Sequence, residues 1–151
     1  MTNATGHIDT FARDNLPSVA TWPEFLLDGF DYPPELNVGT ELTDAMVVKG
    51  FGDHTALIGN GRRRTYKELA DWTNRLAHVL VDDIGVRPGD RVLIRSANNP
   101  AMVACWLAAT KVGAVVVNSM PMLRSGELKK YVDKADIDVL PFGVQTVSYT
   151  Q

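Results

Sequence analysis

Glycines beside cations are the first residues in this chain whose types and spacing suggest chemistry, because backbone N–H groups in a glycine turn can cradle a phosphate. The run GNGRRR (Gly59 to Arg64) offers Gly59 and Gly61 but lacks a third glycine, and it lies between two β-prone runs instead of at a strand-to-helix turn. GFGDHT (Gly50 to Thr55) has the same defect, and no G-x-x-x-x-G-K-S/T occurs anywhere, which excludes a P-loop. Arg62, Arg63 and Arg64 could grip an anion; on a hairpin they also serve as solvated edge charges that discourage strand-on-strand pairing. Asp82 and Asp83 form a carboxylate pair, but they sit late in a predicted helix beside Gly85 with no acid spaced across a cleft. Arg124 and Lys129, near a predicted helix start, could meet a phosphate or remain surface charge. Cys105, within AMVACWLAAT, has no base near it in sequence and reads as a small buried hydrophobe. His7, His54 and His78 are scattered, with no ligand spacing, so no metal site is expected. By residue type and spacing alone, no catalytic group emerges.

The elements that would position these residues are easier to read. A chain of 151 residues with 45% hydrophobic and 22% charged content has room for one ordinary domain with a core. A formal net charge of -3 gives no basic footprint for nucleic acid. No stretch approaches the roughly 18 apolar residues of a membrane span, and the N-terminus lacks the order of a signal peptide, so a cytoplasmic protein is expected. Residues 1–37 carry Trp22, Phe25, Phe30 and Tyr32 among prolines, which predicts an irregular arm that buries its aromatics on the body, residues 38–151.

Within the body, a helix is expected from Val38 to Lys49, ending at Gly50. HTALIGNGRRRTY predicts a hairpin turning at Asn60-Gly61. Thr65 and Glu68 form a capping box for a helix whose Leu69, Thr73, Leu76 and Leu80 share a face, with Gly85 as the stop. RPGD is a turn and Arg91 to Arg95 a strand; Asn99 caps the next helix with Pro100 in its first position. That helix, Ala101 to Val112, is apolar nearly all round and must be buried on more than one side. AVVVN (Ala114 to Asn118) is a continuous apolar strand, as a doubly covered parallel sheet requires. Ser125 is expected to cap a further helix presenting Leu128, Tyr131, Val132 and Ala135, followed by a strand, Ile137 to Leu140. Strand, helix, strand, helix, strand predicts an α/β fold with a mostly parallel sheet and covering helices, the earlier hairpin and helix joining its edge.

The stretch from RRRTYKELADW to MPMLRSGELKKYVDKA resembles the N-terminal part of the large domain of the AMP-forming acyl-CoA synthetases, the adenylate-forming family. Thr65 to Leu69 looks like that family's first core motif and Leu107 to Pro121 like its second. NNPAMVACWLAATKVGAVVVNSMPMLRSGEL and RDNLPS are most similar, within the family, to aromatic acid:CoA ligases such as 2-aminobenzoate:CoA ligase. The resemblance implies an ATP-dependent ligase that uses magnesium and CoA, forming an acyl-adenylate and then a thioester. Some members place an arginine directly after the proline of the second motif to contact CoA. Here Met122 holds that position and Arg124 lies two further on, which leaves Arg124 as the candidate for a CoA phosphate. The family's Ser/Thr/Gly-rich loop with Pro-Lys, its aromatic-Thr-Glu motif, its ribose-binding aspartate and its C-terminal lysine are not found, so a fragment inactive alone is expected, with no cofactor binding it well. The tail PFGVQTVSYTQ departs from the family, as a frameshift, an early stop or a misplaced gene end would produce. Such a fragment is expected to associate with the remaining ligase segment or with itself through an uncovered sheet edge. The alternative is a non-catalytic binding or regulatory module built on the same scaffold.

Overall fold

The computed structural model describes residues 10, 14–26, 28–33 and 35–138. Two short helical turns, α1 (Val38–Glu41) and α2 (Asp44–Met46), lead through a wide turn, Val47–Phe51, to the hairpin β1 (Thr55–Gly59) and β2 (Arg62–Thr65). Helix α3 (Tyr66–His78) follows and continues as a wide turn over Val79–Asp83. Strand β3 (Arg91–Arg95), helix α4 (Pro100–Lys111) and strand β4 (Val115–Ser119) form a βαβ unit, after which comes helix α5 (Ser125–Ala135). β3 and β4 are parallel, with Arg91 opposite Val115 and Arg95 opposite Ser119.

Local chemistry accounts for most boundaries. Asn60 and Gly61 both have positive φ, 53° and 70°, the mirror-image turn that matches strand twist. Thr65 Oγ1 accepts from the Glu68 N–H at 3.2 Å while the Glu68 carboxylate accepts from the Thr65 N–H at 2.9 Å, the reciprocal cap that starts α3. Asn99 Oδ1 accepts from the Met102 N–H at 2.9 Å and Pro100 opens α4. One core cluster joins Leu80, Val86, Val92, Ile94, Ala108 and Ala114, and a second joins Leu69, Ala104 and Leu107; Leu76 and Trp106 touch both. α4 lies between the hairpin, α3 and the parallel pair, which is why its apolar surface extends nearly all round.

Five expectations need correction. The helix from Val38 to Lys49 is broken at Thr43, whose backbone leaves the helical region (φ -126°, ψ -82°). Its wholly buried side chain donates to the Gly39 carbonyl at 2.6 Å, a bond that competes with the helical ladder. The hairpin does not extend the parallel sheet; it forms a separate two-stranded sheet on the α3 and α4 side. β3 is buried from Arg91 to Ile94, but Val115 to Val117 of β4 are only half-buried, so coverage is uneven across the pair. Trp22, Phe25, Phe30 and Tyr32 are 41–63% exposed, and they pair with each other: Trp22 edge-on to Phe25, Phe30 stacked on Tyr32. Finally, Arg124, not Ser125, holds the N-cap position of α5. A guanidinium has no acceptor to offer, so the cap comes from Glu127, whose carboxylate accepts from the Arg124 N–H at 2.9 Å.

The expected strand over residues 137–140 is described only as far as Asp138. That residue already meets β3: its N–H donates to the Arg91 carbonyl at 3.2 Å, and its carboxylate accepts from the Arg91 N–H at 2.8 Å. Residues 139–140, the tail after them and His7 lie outside the described residues.

Candidate functional site

β3 and β4 end side by side, at Arg95 and Ser119, and the segments leaving them bound a cleft of about 390 Å³. Crevices outside the carboxyl ends of parallel strands are where open α/β sheets bind ligands. Ser96, Ala97 and Asn98, between β3 and α4, contribute to the lining, as do Asn118 and Ser119 at the end of β4 and Met120 to Met122 beyond it. Met102 of α4 and Tyr131 of α5 complete it. Arg95 fixes the outer segment: its guanidinium donates to the Pro121 carbonyl at 2.5 Å and to the Leu123 carbonyl at 2.9 Å. Ser119 is 9% exposed, and its Oγ is the buried side-chain polar atom that has no hydrogen-bond partner among the described residues.

The lining contains no Lys, Arg, His, Asp or Glu. It therefore does not fit a triphosphate, which needs cations, or magnesium, which needs carboxylates. Among the described residues no group of three His, Cys, Asp or Glu is placed to hold a metal ion.

The residues singled out by spacing are dispersed. Arg124 is exposed at the start of α5, two positions beyond the lining residue Met122. Arg62 pairs with Glu68 at 2.9 Å; with the Thr65 N–H first and Arg62 second, this holds the Glu68 carboxyl below its usual range. Arg64 stands 4.5 Å over the Trp72 ring, a cation–π contact, and Arg63 is exposed. The hairpin cations thus serve largely as partners for α3. Asp82 lies 3.2 Å from His78 Nδ1 on an exposed helix end, and Asp83 is exposed beside it. Cys105 is half-buried and burial pushes its thiol up, away from thiolate reactivity. His54 sits edge-on to Phe51.

Sequence reasoning passed over Ser119 and Arg95. Both are polar residues that close an apolar strand, the place where a parallel sheet turns toward ligand, and that position was the available signal. It also missed a polar network on the opposite side of α4. Lys111 Nζ donates to Asp44 Oδ2 at 2.5 Å and to Asn74 Oδ1 at 2.7 Å, while Asn74 donates to Asp44 Oδ1 at 3.2 Å. Those three residues are 30 to 67 positions apart, and nothing local connects them.

Residues 45–148 match the family model of the AMP-binding enzymes, a match that takes in Pro141 to Ser148 of the tail expected to depart from the family. The chain belongs to that family, the adenylate-forming ligases, and corresponds to their N-terminal part. It is 38% identical over 93 residues to the medium/long-chain-fatty-acid--CoA/3-oxocholest-4-en-26-oate--CoA ligase of Mycobacterium marinum, a match over 62% of this chain and 17% of that one. It is 37% identical over 82 residues to the 3-hydroxybenzoate--CoA/4-hydroxybenzoate--CoA ligase of Thauera aromatica, covering 54% and 16%. The N-terminal subdomain of Klebsiella oxytoca NpsA, solved in complex with anthranilyl-AMSN, superposes with a TM-score of 0.62 at 29% identity, covering 69% of this chain and 26% of that one. The chain thus spans about a fifth or less of the length of the curated relatives named here. No helix among the described residues is long and apolar enough to cross a membrane.

Proposed function

We propose that this chain is the N-terminal portion of an ATP-dependent carboxylic acid:CoA ligase, consisting of an arm over 1–37 and an incomplete α/β subdomain over 38–151, and that it catalyses neither step alone. In the complete reaction a carboxylate oxygen attacks the α-phosphorus of ATP and pyrophosphate leaves. The CoA thiol then attacks the acyl carbon and AMP leaves. The family match over residues 45–148 carries this reading. The cleft's lack of any charged side chain supports inactivity, because nothing there neutralises a triphosphate or polarises a carboxylate. The proposed substrate is an aromatic acid such as 2-aminobenzoate or benzoate. The hydroxybenzoate ligase and the anthranilyl complex support it; the fatty-acid and steroid ligase points to a broader class. Arg124 is assigned to a CoA phosphate, on its exposure and its place just past the cleft. The cytoplasm is the proposed compartment.

ATP–pyrophosphate exchange tests both claims. The purified 151-residue chain is expected to give none with 2-aminobenzoate, benzoate or octanoate, and measurable exchange overturns inactivity. Co-expression with the segment encoded downstream is expected to restore exchange, faster with 2-aminobenzoate than with octanoate. Equal rates overturn the aromatic assignment, and absence of any downstream ligase segment sinks the fragment itself.

One observation favours a second reading, a non-catalytic module that docks on a ligase: among the described residues, the aromatics Trp22, Phe25, Phe30 and Tyr32 are exposed and Val115 to Val117 of β4 are only partly covered. Co-elution of this chain with a full-length ligase in size-exclusion chromatography is its expected signature, and separate elution counts against it.

A further inference from the structure

We propose that the arm over residues 14–36 is an interaction segment whose partner is a second copy of this chain, the aromatics and carboxylates of each arm lying on the cationic hairpin of the other copy. Three observations carry this, and none depends on the ligase reading. The first is charge. From Asp14 to Asn37 the chain carries five carboxylates (Asp14, Glu24, Asp28, Asp31 and Glu35) and no Lys or Arg. That exceeds the whole chain's net charge of -3, so the rest of the molecule is net positive. From Thr55 to Lys67 the balance reverses, with Arg62, Arg63, Arg64 and Lys67 and no carboxylate. Arg62 pairs with Glu68 and Arg64 covers Trp72, but Arg63 and Lys67 are exposed and form no ion pair among the described residues.

The second observation is apolar surface on both sides. Trp22 stands edge-on to Phe25, Phe30 is stacked on Tyr32, and the Trp22 Nε1–H is tied to the Pro17 carbonyl at 3.0 Å, so the arm presents two aromatic pairs already assembled. Preassembled anchors lose little side-chain freedom on binding. On the hairpin, Ile58 is 68% exposed opposite Arg63, and Phe51 is exposed beside Gly52, whose carbonyl accepts from the Lys67 N–H at 2.9 Å. Each unpaired cation thus has an exposed apolar residue close by. An exposed ion pair alone is worth little. Aromatic rings laid on such a surface add apolar burial and cation–π contact, and the charges orient the arm.

The third observation is placement, which selects a second copy over the arm's own hairpin. The arm joins the body at Asn37, whose side chain donates to the Lys111 carbonyl at the carboxyl end of α4 at 2.9 Å. The hairpin packs at the opposite end, where a Cβ on Gly59 would stand 2.6 Å from Pro100 Cγ. Twelve residues of helix, about 18 Å, separate the two. The described arm residues are exposed throughout, so they do not cover their own hairpin. Exchange of arms about a two-fold axis covers both hairpins at once and closes at the dimer.

Sedimentation velocity of the 151-residue chain tests this. A dimer is expected at about 200 μM, with a dissociation constant that rises about tenfold between about 50 mM and about 500 mM NaCl as the charges are screened. Two variants divide the contact: Trp22→Ser/Phe25→Ser removes one aromatic pair from the arm, and Arg63→Glu/Lys67→Glu reverses the unpaired cations of the hairpin. All four residues are exposed, so the urea midpoint of each variant is expected to match the parent's. Each variant alone is expected to dimerise about tenfold more weakly. Mixed, the two are expected to associate more tightly than either does alone, because the intact arm of one meets the intact hairpin of the other. Asp28→Lys/Asp31→Lys, placed in one chain with Arg63→Glu/Lys67→Glu, is expected to recover part of the lost affinity. A parent chain that stays monomeric overturns the proposal. Dimerisation that neither variant weakens, which places the contact on another surface such as the β4 edge, overturns it too, as does a mixture that associates no better than its components. None of these readouts involves a ligase or pyrophosphate exchange, so failure here and failure of the ligase assignment are distinguishable.

Discussion

Gly39 shows how a single position can carry a contact that no periodicity announces. A Cβ at this residue would stand 2.6 Å from the Leu107 carbonyl oxygen and 2.8 Å from the Lys111 nitrogen, both backbone atoms of α4 that cannot rotate away. The bare α-carbon thus lets α1 lie directly on the end of α4, where the Asn37 side chain also donates to the Lys111 carbonyl at 2.9 Å. Gly39→Ala is expected to destabilise the chain by about 2 kcal/mol through overpacking, read as a lowered urea midpoint with unchanged slope. The same scale explains Arg64, which spacing placed on a solvated edge. Its guanidinium covers Trp72, a partner on the next element that the hairpin sequence does not contain.

At the scale of elements, the Lys111–Asp44–Asn74 network ties α2, α3 and α4 together on the side of α4 away from the cleft. Burial acts to raise the Asp44 carboxyl, but hydrogen bonds from Lys111, Asn74 and Thr43 and the Lys111 charge outweigh it, so the group ends below its ordinary value of 3.8. A carboxyl depressed on folding contributes stability that is fully present above the unfolded value and is lost as pH falls through the folded one. Between pH 7 and pH 3, the urea midpoint is therefore expected to fall further for the parent than for Asp44→Asn; equal falls would remove Asp44 from the acid response. The network bears on why the segment from Val38 was misread as one helix. Leu42, Ala45 and Met46 have helical spacing, yet Thr43 back-bonds to Gly39 and Asp44 turns to meet Lys111, so tertiary partners break a pattern that local propensity favours. The Thr65–Glu68 capping box and the Asn60-Gly61 turn were legible because each is complete within four residues.

Across the whole molecule, protection should follow cover. Val92, Leu93 and Ile94 are buried, Val92 and Ile94 within the larger core cluster, whereas the described residues between 14 and 33 are exposed throughout. Hydrogen exchange is expected to be slowest at the amides of β3 and fastest over 14–33, with the hairpin between them; a hairpin slower than β3 would contradict the packing described. The sequence by itself determined the α/β class, the order of elements from Tyr66 to Ala135, the caps of α3 and α4, the turn residues and the family, since these depend on periodicity, capping and short motifs. Only the tertiary structure decided that the hairpin forms a sheet of its own, that the arm's aromatics are exposed, that Ser119 Oγ has no partner among the described residues, and that Arg95 bonds the Pro121 and Leu123 carbonyls. Those outcomes depend on which surfaces meet across 26 to 74 residues of chain, and on whether a buried polar atom finds a partner there. Neither quantity is local, and neither leaves a trace in spacing.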